Sequence, residues 1–109
     1  MTDMPEPTVY TDADLVKFHP AFMEAMSLWS LRCAQYVAKH GDKGSCVIGA
    51  GIGVYYRGPR KRSYELKLVI DVPMTASQGS CTWEASVPEV IAFLKTRGIE
   101  AHHIYGRMD

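Results

Sequence analysis

The chain has 109 residues, 47% of them hydrophobic and 22% charged, and twelve Lys and Arg against twelve Asp and Glu leave it with no formal net charge. A chain of that length buries roughly 65% of its unfolded surface, enough for a core that needs neither metal nor disulfides, and its composition is that of a globular protein and not of a disordered one. No apolar run approaches the roughly 20 residues of a membrane-spanning helix. Residues 1–16 are acidic and polar where a secretory signal is basic and then apolar, so the expected setting is the cytoplasm, with no membrane partner.

The zero balance hides an asymmetry. Asp3, Glu6, Asp12, Asp14 and Glu24 face only Lys17 in residues 1–24, whereas Arg57, Arg60, Lys61, Arg62 and Lys67 face only Glu65 in residues 57–67. A neutral total leaves little repulsion between copies and is compatible with self-association; the homodimer expected for this chain follows from the wide apolar face of the helix that begins at Pro20. Cys33, Cys46 and Cys81 cannot all pair within one chain and lack CxxC spacing, so buried thiols are expected.

Along the chain, residues 1–17 carry Pro5, Pro7 and scattered acids without apolar periodicity and are expected as a flexible N-terminal arm, with 18–109 forming a single α+β domain. From Pro20, which suits a first helical turn, Phe22, Met26, Trp29, Cys33 and Val37 recur at helical steps until Gly41 supplies a stop. Met23, Leu28, Leu31 and Tyr36 widen the apolar side, so this helix is expected to bury against the sheet and either another helix or a second subunit. Residues 46–56 then alternate, with Ile48, Ala50, Ile52, Val54 and Tyr56 on one face and Gly49, Gly51, Gly53 and Tyr55 on the other. Past the Gly58-Pro59 loop, Tyr64, Leu66, Leu68, Ile70 and Val72 alternate in turn, which predicts a hairpin whose apolar faces coincide. Residues 81–85, around Trp83, predict a third strand. Ser86-Val87-Pro88-Glu89 has the form of a capping box for a second helix that ends at Gly98 and Ile99, and residues 100–105 predict a last strand. The order helix, strand, strand, strand, helix, strand points to a two-layer α+β fold: a small, mainly antiparallel sheet of three to four strands with two helices on one face. The last strand is expected parallel to the third and beside the first.

No motif rises above the structural background. Gly49-Ala50-Gly51-Ile52-Gly53 is not a dinucleotide fingerprint, because its third glycine comes one position early and a strand follows where a helix N-terminus is needed. Glycines two apart share a strand face, so they predict a flat lane open to close approach. On that basis Gly49, Gly51, Gly53, Tyr55 and Lys67 are the candidate ligand-binding residues, on an open sheet face holding a small molecule or a protein surface. The alternative is nucleic-acid binding through Arg57, Arg60, Lys61 and Arg62, a basic loop flanked by Tyr55, Tyr56 and Tyr64, against which stands a solvated edge charged to discourage aggregation. Double-stranded-RNA-binding domains share the helix, three strands, helix order and often a Gly-Pro between their first strands. Their basic cluster at the second helix would fall at Ala85-Ser86-Val87-Pro88, which has no base, so the chain is not assigned to them. A weaker alternative is a small enzyme using Glu65, Asp71 or His103 as acid or base. His102 and His103 are adjacent on a strand and point to opposite sides, and His19 and His40 lie far apart, so no metal site and no cofactor are expected.

Overall fold

The computed structural model describes residues 7–41, 47–48, 50–72, 84–104 and 107–108. Its elements are β1 (Val9–Tyr10), α1 (Asp12–Lys17), α2 (His19–His40), β2 (Val47–Ile48), β3 (Gly51–Tyr56), β4 (Glu65–Asp71), α3 (Val87–Thr96), β5 (His102–Ile104) and β6 (Arg107–Met108). The class is α+β, and the described residues form three helices and a small mixed sheet.

The helix expected from Pro20 forms as α2. It ends at Gly41, whose φ of 78° is the left-handed geometry that glycine adopts without strain, and the Gly41 amide donates to Val37 O at 2.8 Å. Its buried residues, Phe22, Ala25, Trp29 and Cys33, fall at three- and four-residue steps and form one stripe. They pack with Ile52, Val54 and Ile70 of the sheet and Val90 and Leu94 of α3 in a single core, where each large side chain removed from water stabilises by about 1.5–3 kcal/mol. Two exposed ion pairs, Arg32 with Glu89 at 2.6 Å and Arg97 with Glu24 at 2.8 Å, rim the α2–α3 contact. Each contributes at most about 1 kcal/mol, so the helices are held by the core between them. Among the described residues no helix is long and apolar enough to cross a membrane.

β3 is the central strand. It pairs antiparallel with β4 along one side and, along the other, antiparallel with β5 (Gly51 opposite Ile104) and parallel with β1 (Val9 opposite Tyr55). β2 and β6 continue the β3–β5 register, Val47 opposite Met108. The expected hairpin therefore forms, but its register breaks: Ile70 opposes Ile52 while Leu68 opposes Gly53, leaving Val69 as an extra residue. One added residue in a period-two strand moves everything beyond it to the other face. Tyr64, Leu66 and Leu68 consequently do not share the face of Ile70 as expected, and Lys67 turns to the helix side, its Nζ 4.5 Å from the centre of the Tyr56 ring.

Three further expectations are corrected. Within the expected arm, residues 9–17 form β1 and α1. Tyr10 is buried, its hydroxyl accepts from the Glu100 amide at 2.8 Å, and its ring meets Phe18 edge-on. Thr11 and Asp14 supply the capping box of α1, the Thr11 amide donating to Asp14 Oδ2 at 2.9 Å. At α3, by contrast, Ser86 makes no side-chain cap: its backbone is helical (φ -102°, ψ -4°) where a capping residue is extended, and the Glu89 side chain pairs with Arg32 instead of reaching back. The C-terminal clasp of α3 does form: Gly98, at φ 80°, donates to Lys95 O, and the buried Ile99 donates to Leu94 O. Of the expected third strand, residues 81–83 lie outside the described residues, while Glu84 is helical and Ala85 is in a turn. β5 lies beside β3 as expected, and the parallel pair observed is β1 with β3.

Removing the Thr11 hydroxyl should release one amide at the start of α1. Thr11→Ala is expected to lower unfolding stability by about 1 kcal/mol in urea titration, and an unchanged midpoint would mean that α1 contributes nothing to the fold.

Candidate functional site

Alternation along β3 puts Ile52, Val54 and Tyr56 toward the helices and Gly51, Gly53 and Tyr55 toward the other face. The bulge at Val69 adds Leu66 and Leu68 to that second face, β5 adds His102 and Ile104, and β1 adds Val9. The described helices lie on the opposite side, so among the described residues this face is open. At its loop end stands a row of rings. Tyr55 meets Tyr64 edge-on at 5.5 Å and His102 at 4.9 Å, with Tyr64 40% and Leu66 38% exposed.

The glycine lane has a different content from the one expected. A Cβ on Gly51 would strike Ile70 O and the Leu68 side chain, and one on Gly53 would strike Lys67 O and the Ile104 side chain. The strip above these glycines is thus taken by Leu68 and Ile104, and the glycines allow tight strand and side-chain packing. Of the five candidates, Gly51, Gly53 and Tyr55 share the open face, Lys67 lies on the other, and Gly49 is outside the described residues. Tyr64, Leu66, Leu68, His102 and Ile104 were missed because plain alternation assigns Tyr64, Leu66 and Leu68 to the core. The run Leu66 to Val72 contains consecutive apolar residues at Leu68, Val69 and Ile70, and this interruption is the signal that a bulge leaves in a sequence.

The basic loop stands at one end of the same hairpin. Arg57, Arg60, Lys61 and Arg62 are all exposed, and among the described residues none of them enters an ion pair. The Arg57 amide donates to Tyr10 O at 3.0 Å, and the Lys61 amide to Gly58 O at 3.3 Å, closing a turn over Gly58–Lys61. Arg60 occupies the third position of that turn with φ 64°, where glycine is favoured and an L side chain costs about 1–2 kcal/mol. A groove of about 390 Å³ runs between this loop and Thr11, Asp12 and Ala13. Asp12 accepts the Tyr56 hydroxyl there, which raises the phenol above its usual range.

The acid and base candidates do not converge. Glu65 opposes Tyr56 at the loop end, Asp71 opposes Gly51 at the far end, and His103 opposes Ile52 on the helix side, where burial lowers its pKa. Among the described residues His102 Nε2 has no hydrogen-bond partner and lies 3.7 Å from Glu100 Oε1, and hydrogen bonding from the Thr8 side chain, helped by its amide, keeps the Glu100 carboxyl below its usual range. Burial in α2 pushes the Cys33 thiol up to about 11, far from a nucleophilic thiolate at neutral pH. Cys46 and Cys81 lie outside the described residues. Among the described residues no three His, Cys, Asp or Glu groups gather around a point that one metal ion could occupy. A second groove, about 510 Å³, lies between β1 and the end of α3, lined by Tyr10, Ile91, Ile99, Lys95 and Glu100.

No protein-family model, no curated protein and no solved structure matches the chain.

Because the Ile70 backbone, which cannot swing aside, blocks Gly51 together with the Leu68 side chain, Gly51→Ala is expected to destabilise by about 1–3 kcal/mol in urea unfolding. A neutral outcome would mean that the lane is vacant and available to a ligand.

Proposed function

We propose that this protein is a non-catalytic binding module that holds a flat ligand or a partner surface on the open face of its sheet. One observation carries this reading: Tyr64 and Leu66 are 40% and 38% exposed beside Tyr55, Leu68, His102 and Ile104 on a face that none of the described helices covers. Solvent-facing strand positions are ordinarily polar, and contiguous exposed apolar surface marks interaction sites. Rings whose edges are already fixed by neighbours lose little freedom when a flat partner settles on them. The scattered placement of Glu65, Asp71 and His103 favours binding over chemistry.

Chemical-shift mapping tests this reading directly. Titration with indole is expected to move the amides of Tyr55, Tyr64, Leu66 and His102, and Leu66→Lys to suppress those shifts. Shifts concentrated in the groove by Lys95 and Glu100 would overturn the assignment.

We also propose that the module self-associates through the exposed side of α2. Met23 and Leu31 are 50% and 52% exposed there, and Ser27, Ala34 and Ala38 lie between and beyond them without a charge. Light scattering after size exclusion is expected to give a dimer mass for the parent chain and a monomer mass for Met23→Glu with Leu31→Glu. A monomeric parent chain would remove this part of the proposal.

A further inference from the structure

Resting on the binding-module reading, we infer that the ligand class is a single-stranded nucleic acid, with bases on Tyr55, Tyr64 and His102 and backbone phosphates toward Arg57, Arg60, Lys61 and Arg62. The two halves of such a ligand need two surfaces in one place, and the hairpin provides both. Tyr55 ends the open-face run of β3 two residues before Arg57, and Tyr64 follows two residues after Arg62, so the ring row and the charged loop are consecutive along the chain. His102 extends the row from the other side of Tyr55.

Charge and shape then select the class. Four exposed cations without ion pairs among the described residues favour a polyanion, and their counterions are released when phosphates replace them. A ring row at the end of a sheet, with Tyr64 exposed and Tyr55 and His102 half-buried beside it, favours bases free to leave their own stack, as in a single strand, and a duplex keeps its bases out of reach. An acidic peptide would satisfy the loop and leave the rings without a partner. Arg60 is the third observation: glycine would relax the turn, yet the position carries a cation held outward at φ 64°.

The test is fluorescence anisotropy of the full chain with labelled oligouridylate and oligothymidylate, a matched duplex and polyglutamate. Single strands are expected to bind most tightly and to weaken roughly fifty-fold between 50 and 200 mM salt, as about four phosphate contacts require. Tyr64→Ala is expected to weaken binding about tenfold, the scale of one lost base–ring contact, while Tyr64→Phe keeps it. Arg60→Gly should weaken single-strand binding and at the same time raise the urea midpoint, a combination that a merely structural arginine would not produce. Equal or tighter binding of the duplex or of polyglutamate, or indifference to Tyr64→Ala, would overturn the inference. Absence of any nucleic-acid binding would do the same. If indole still maps to Tyr55, Tyr64 and His102 in that case, the binding-module reading stands and only the ligand class falls. If indole does not map there either, both fall.

Discussion

Val69 decides what this sheet can do. A strand has two faces and one rule, alternation, and a single unpaired residue reverses the rule for every position beyond it. On one side of the bulge Ile70 enters the core against Trp29, Val90 and Leu94. On the other, Leu68, Leu66 and the preceding Tyr64 come out beside Gly51, Gly53 and Tyr55, and Lys67 goes to the helix side. Without the extra residue the open face would carry Lys67 and Glu65, the ordinary polar exterior of an antiparallel sheet. With it, the face away from the described helices is aromatic and apolar.

The glycines are the counterpart of that bulge. Leu68, turned outward, lies over Gly51, and Ile104 of β5 lies over Gly53, so three strands fit closely where side chains on β3 would hold them apart. Tyr55, the first open-face residue of β3 past the glycines, meets Tyr64 and His102 across its neighbours. The smooth floor and the ring row thus have one cause, close strand packing at the centre of the sheet followed by bulk at its end.

The edge beside this floor depends on residues whose local sequence says little. β1 is two residues long and shows no period, yet Tyr10 is buried through contacts with Glu100 and Phe18, and Arg57 donates to its carbonyl. The N-terminal segment so fastens the start of the basic loop. Its helix, α1, is stabilised by the same reciprocal capping that the sequence suggests for α3. At α3 neither half of that cap forms: Ser86 has helical backbone, and Glu89 pairs with Arg32, 57 residues away in the chain.

By itself the sequence determined what depends on near neighbours. The span and stop of α2, the β3–β4 hairpin, the clasp at Gly98 and Ile99, and the α+β class all follow from periodicity and from glycine at left-handed positions, which act within a turn or two of the chain. At the site, Gly51, Gly53, Tyr55 and the basic loop were legible in the same way. The tertiary structure alone decided the bulge, the docking of β1, the partner of Glu89, and hence which of Leu66, Lys67 and Leu68 faces outward. Each of these is a competition between pairings far apart in sequence, and although the run Leu68-Val69-Ile70 marks where alternation breaks, a pattern read along one strand does not specify which residue the strand beside it leaves unpaired.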